Sequence, residues 1–345
     1  MAYTTIDDPT LFFDTTTWST VDTSIDTLNF QPDWVWLKSR SNADTQVVFD
    51  SARGANKRLS PSGVAAESTT SDELTAFNSD GFTLGTGDNV NRSSQTMVAW
   101  SWKAGTTSSI SGGSITPAAV SINATSGFGI YRYTGTGSNG TIAHGLGTAP
   151  KFIVTKNRDS GSYGWYAYHI GIGATKNLYL HNSDATVTSS DRWNDTAPTS
   201  TLFTLSTNTG VNGSSANMIA YAFSEVKGYS KFGSYVGNNN ADGAFIYTGF
   251  RPAWVMMKNT QTARDWFIWD NERSDGNPNL LNKYLRANTD EVEGSNSTTG
   301  MDFLSNGFKC RNDFGAVNHA ETYVYLAFAK APFVTAGTKA AGTGG

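Results

Sequence analysis

The residues of this chain whose types and spacing come nearest to known chemistry are Asp290-Glu291-Val292-Glu293. In a strand, Glu291 and Glu293 would project from one face, and two carboxylates flanking a sugar bond are what retaining glycosidases use. The remaining acidic position of the sandwich-glucanase pattern is missing, so the stretch is expected to be a solvated acidic loop. Asp50 with Arg53, and Asp270 with Arg273, could form an ion pair or a polar ligand-binding edge. Their recurrence points to a structural role, a charge-assisted hydrogen bond fixing the loop after a strand. Serines are abundant, but no Gly-x-Ser-x-Gly elbow is present, and the single cysteine, Cys310, has no activating neighbour. His144, His169, His181 and His319 are scattered, without metal-ligand spacing, and His144 in His-Gly-Leu-Gly is expected to support a turn. No catalytic residue, metal or cofactor is therefore expected, and the chain reads as a non-enzyme. The Asn238–Asp242 loop has oxygen ligands suited to Ca²⁺, with an ordinary Asn turn as the default. Among the aromatic rings, Trp193 in Asp-Arg-Trp-Asn is the best candidate for an exposed sugar-stacking platform.

These residues are positioned by an internally repeated pattern. The heptad Pro-x-[Trp/Phe]-[Val/Ile]-x-x-Lys occurs at Pro32/Trp34/Lys38, Pro150/Phe152/Lys156 and Pro252/Trp254/Lys258, at domain-sized intervals. A second strand follows each heptad, Val47–Asp50, Trp165–His169 and Trp266–Asp270. Only the first and third carry Asp-x-x-Arg; the middle one has histidine in place of the aspartate. Phe77-x-x-Asp80-Gly81-Phe82 matches Phe303-x-x-Asn306-Gly307-Phe308, a turn in which glycine is expected to take a positive φ. Each stretch closes on an apolar strand around Trp100, Tyr221 and Leu326. Proline is expected to mark the strand's start and the aromatic to enter the core.

Short strands punctuated by Gly, Asn and Ser predict an all-β protein of three tandem β-sandwich repeats, jelly-roll or lectin-like. The expected boundaries are 1–104, 105–226 with a Ser/Gly/Thr-rich lead-in over 105–126, and 227–334, followed by a flexible tail over 335–345. Residues found in all copies are architecture, and residues found in one copy are where a specific activity could sit. A formal net charge of −4 and no Lys/Arg cluster argue against a nucleic-acid partner. No apolar run approaches the ~18 residues of a membrane helix, and the N-terminus lacks signal-peptide features.

Several phrases together resemble one group of sequences. They are Met-Ala-Tyr-Thr-Thr-Ile-Asp-Asp-Pro9, Phe30-Gln-Pro-Asp-Trp-Val-Trp-Leu-Lys38, Ser121-Ile-Asn-Ala-Thr-Ser-Gly-Phe128, Ala143-His-Gly-Leu-Gly147 and Phe245-Ile-Tyr-Thr-Gly-Phe-Arg-Pro-Ala-Trp254. The chain resembles virion-associated repeat proteins of tailed bacteriophages, especially phages of marine bacteria. The resemblance implies a particle component: a tail-fibre or appendage protein, or a capsid decoration, made in the host cytoplasm and located in the virion. It supplies no catalytic residues. Expected partners are further copies of the chain, other virion proteins and a host-surface glycan; a carbohydrate-binding or carbohydrate-cleaving lectin-like module is the alternative reading.

Overall fold

The computed structural model describes residues 4–19, 21–105, 107–274, 279–295 and 299–333. The expected tail over 335–345 lies outside the described residues. The protein is all-β: strands form antiparallel sheets, and among the described residues helix is confined to single turns such as Ser190–Trp193.

Three main sheets are drawn from successive parts of the chain, and each has the same strand order at its centre. In the first, Phe13–Trp18 pairs with Met97–Trp102, which pairs with Trp34–Ser39, which pairs with Val47–Asp50. The second runs Phe128–Thr134, Asn217–Ser224, Pro150–Asn157 and Trp165–His169. The third runs Ser230–Val236, Thr322–Pro332, Phe250–Asn259 and Phe267–Asp270. The registers correspond as well. Trp34 lies between Trp102 and Asp50, Phe152 between Phe223 and His169, and Trp254 between Phe328 and Asp270. The lead-in to the second sheet supplies an additional edge strand, Ala119–Asn123.

Strand alternation explains the heptad. Successive side chains leave a strand on opposite faces, and here both faces are apolar. Val35 and Leu37, Ile153, and Val255 and Met257 face three separate local cores, each closed by a smaller sheet. Trp34, Trp36, Phe152, Val154, Trp254 and Met256 face the other way and meet in one core common to all three sheets. Arranged in tandem along the sequence, the sheets thus enclose a single interior. The register-equivalent residues Trp102, Phe223 and Phe328 form a triangle there, with ring centroids 5.6, 5.9 and 6.4 Å apart.

One expectation about backbone residues needs correction, and another holds for one residue of two. Pro252 lies inside the strand Phe250–Asn259, where the register shifts on both sides of it; a bulge tolerates the missing N–H in mid-strand. Pro150 opens its strand and Pro32 precedes the strand that starts at Trp34. In the Gly-Phe hairpins, Gly81 takes the expected positive φ of 157° and Gly307 does not, and at both the next strand crowds the glycine. A Cβ on Gly81 would stand 1.6 Å from the Ile25 carbonyl oxygen, and one on Gly307 would stand 2.1 Å from that of Ile246.

Trp254 is 1% exposed in the common core. Replacing it with alanine is expected to cost about 3–5 kcal/mol, read as a lowered midpoint in chemical denaturation. A loss below about 1 kcal/mol would show that this ring does not hold the core.

Candidate functional site

The repeated polar residues collect at the three seams where one sheet meets the next. The heptad lysine lies four residues after the aromatic and so leaves the same face of the strand, at the rim of the common core. Each ammonium donates to a carbonyl of a neighbouring segment. Lys38 Nζ reaches Thr289 O at 2.7 Å, Lys156 Nζ reaches Val64 O at 3.0 Å, and Lys258 Nζ reaches Ser183 O at 3.1 Å. The direction is cyclic: the first segment grips the third, the second grips the first, and the third grips the second.

Buried indoles follow the same cycle. Trp165 Nε1 donates to Ser60 O at 2.7 Å and Trp266 Nε1 to Tyr179 O at 2.9 Å. Trp36 Nε1 donates to Gln46 Oε1 at 2.8 Å, and Gln46 passes the link on to Ala287 O and Thr289 O. Backbone bonds complete each seam: Glu293 N to Arg40 O, Glu67 N to Arg158 O, and Thr186 N to Thr260 O.

Asp50 and Asp270 anchor two of these seams. Each carboxylate accepts from the backbone N–H and the Nε of its arginine three residues on, Arg53 or Arg273, fixing the loop as the sequence suggests. It also accepts a bond from another segment: Tyr221 OH on Asp50 at 2.6 Å, and Trp100 Nε1 on Asp270 at 2.9 Å. The arginines extend the link. Arg53 bonds Glu67, which also holds Arg158, while Arg273 bonds Glu293, which also holds Arg40. Burial alone would raise the Glu67 and Glu293 carboxyls, but their arginine partners outweigh it and hold both below the usual range.

The third seam lacks the Asp–Arg–Glu chain, and this follows from one substitution. Where the other segments present Trp100 or Tyr221, the third presents Leu326, which has no donor. The facing position is His169, whose Nδ1 accepts from Gly171 N and whose Nε2 meets Tyr325 O at 3.1 Å. Burial lowers its pKa to about 4, so the ring is neutral. The Arg–Glu link is likewise replaced by Thr186 and Thr260.

The acidic stretch is a loop with Glu291 and Val292 exposed, as expected, but Glu293 is drawn into a seam. Residues 290–293 are not a strand, and the carboxylates diverge. Glu293 is held by Arg40 and Arg273, Glu291 pairs with Arg286, and Asp290 accepts from Ser62 Oγ and Gln46 N. Nothing there resembles an acid and nucleophile across one bond. Trp193 is also corrected. It ends the short helix Ser190–Trp193 with its ring 2% exposed and edge-on to Tyr168, so it offers no platform. In the Asn238–Asp242 loop, Asp242 pairs with Lys309 and Asn238 bonds Asn318. Among the described residues no cluster of three or more His, Cys, Asp or Glu is placed to hold a metal ion.

The main concavities lie instead on the surface beside the short joint 225–229. One groove of about 440 Å³ is lined by Glu225, Lys227, Ser230, Lys231, Tyr247 and Thr248. A second, of about 730 Å³, shares Glu225 and Lys227 and continues to Thr4, Thr5, Thr125 and Thr148. Next to them the strand Phe245–Tyr247 exposes both its aromatic rings, 46% and 55% accessible. The first and second segments have no aromatic pair at the corresponding position, a difference that can be read from the sequence.

The chain belongs to the family described as Domain of unknown function (DUF7483), matched over residues 8–332. No curated protein matches it. The family match spans all three main sheets and their seams. Among the described residues no helix is long and apolar enough to cross a membrane.

The seam lysines give the fold a pH signature. Burial pushes the Lys38, Lys156 and Lys258 amines down to about 8 from an ordinary value of 10.5. Between those limits the unfolded chain binds more protons than the folded one, so stability rises with pH. The opposite sign sets in higher up, because burial pushes the Cys310 thiol up to about 12 and also raises tyrosines such as Tyr168 and Tyr323. Urea denaturation is expected to show greater stability at pH 9 than at pH 7.5, by about 1 kcal/mol per lysine, with a decline beyond pH 10. A flat or falling profile between pH 7.5 and 9 would show that burial does not lower the seam lysines' pKa.

Proposed function

We propose that this chain is a non-enzymatic structural component of a tailed-phage particle, a tail-fibre or appendage protein acting in assembly and in attachment to the host surface. The observation that carries the non-enzymatic half is the fate of the ionisable residues. Asp50, Arg53, Glu67, Asp270, Arg273 and Glu293 are all engaged in links between segments. The particle half rests on the sequence resemblance. A rigid block with one interior suits a part that must transmit load and hold its shape, and self-association would repeat that block in an assembly.

Immunogold labelling of particles produced from the genome that encodes the chain tests this reading. Gold on the tail or its appendages is the expected result, whereas gold confined to the head would make the protein a capsid decoration. Particles that bind no gold at either place would remove the reading.

A further inference from the structure

We infer that the outer face of Phe245–Tyr247, together with the groove beside it, is a binding site for a saccharide chain. This deepens the attachment part of the proposed function, and it rests on a comparison of the three smaller sheets. Each has a strand next to the glycine- or leucine-bearing hairpin strand, and in each an isoleucine points inward: Ile25, Ile142 and Ile246, at 3%, 0% and 6% exposure. Around the first two, the flanking residues are Ser24 and Asp26, and Thr141 and Ala143, none of them aromatic. Around the third they are Phe245 and Tyr247. Packing accounts for the isoleucines, but it does not account for two half-exposed rings that the other copies lack.

The rings are held as a platform. Alternation on the strand puts Phe245 and Tyr247 on one face. Phe245 lies over Gly307, where a Cβ would stand 2.9 Å from two of its ring carbons, so a glycine at that position is what lets the ring settle onto the sheet. Tyr247 forms part of the wall of the 440 Å³ groove, a volume within the ordinary range for small-ligand sites. The groove is also lined by Lys227 and by Glu225 and Lys231, paired at 2.9 Å, while Ser230 and Thr248 line it with hydroxyls bonded within the protein. An aromatic face takes up the C–H face of a pyranose, while donors and acceptors at its edge take up the hydroxyls.

A second copy of the chain fits this surface less well. A stable dimer buries about 800 Å² on each partner around an apolar centre. Here the rings are bordered by the Lys309–Asp242 pair and by the Glu225–Lys231 pair, which interrupt the apolar area.

The test uses the purified full chain on an array of neutral and acidic bacterial surface oligosaccharides, followed by titration calorimetry with the best-bound one. Wild type is expected to bind, Tyr247→Ala and Phe245→Ala to weaken binding at least tenfold, and Tyr247→Phe to retain most of it. All three variants should melt at the wild-type temperature, because the rings are half-exposed. Absence of binding to any array saccharide, or equal binding by wild type and the two alanine variants, would overturn the site. So would a wild-type dimer in sedimentation that Phe245→Ala/Tyr247→Ala converts to monomer, since the face would then belong to a second copy. Because the array uses isolated protein, its outcome is independent of where gold falls on particles.

Discussion

Everything else in this molecule depends on the contact of Trp102, Phe223 and Phe328 at the centre of three sheets. Each occupies the same register position in its own closing strand, opposite Trp34, Phe152 or Trp254. Their convergence means that one face of each main sheet is buried only because the other two sheets are present. Taken alone, any one sheet would expose a wide apolar face to water, at roughly 25 cal/mol for each Å². The three segments are therefore held together by the hydrophobic effect, and the smaller sheets complete the burial on the outside.

A greasy centre is non-directional and does not by itself choose one rotation of a sheet against its neighbours. The polar seams supply that choice. Lys38, Lys156 and Lys258, with Trp165, Trp266 and, through Gln46, Trp36, satisfy carbonyl oxygens on the adjoining segment, and a displaced register would strand buried donors without acceptors. Two seams carry the additional Asp–Arg–Glu–Arg chain. Buried ion pairs contribute little net stability but penalise wrong pairings heavily, which suits a role in registry. The exchange of Asp for His169 opposite Leu326 follows the same rule: a carboxylate is placed only where the facing segment brings a donor.

Much of this was legible in the sequence. The heptad's aromatic and its alternating apolar neighbours announced strands, and the twofold occurrence of Asp-x-x-Arg announced a local brace. The partners across the seams were not legible. Glu67 and Glu293 meet Arg158 and Arg40 from segments far away in the chain, and no local pattern encodes which segments become neighbours. For the same reason Glu293 looked like a solvated carboxylate. Trp193 misled because polar neighbours in sequence suggested exposure, while a single helical turn folds the ring under Tyr168. Phe245 and Tyr247 were concealed by their short strand: only the burial of Ile246 between them reveals that both flanking rings face outward.

The central claim is that the three segments share one interior, and calorimetry tests it most directly. Scanning the whole chain compares the total heat of unfolding with the van't Hoff enthalpy of the transition. A common core predicts a single transition in which the two agree. Three independently folding sandwiches would instead give a calorimetric enthalpy about three times the van't Hoff value, or resolved transitions, and either result would contradict the account.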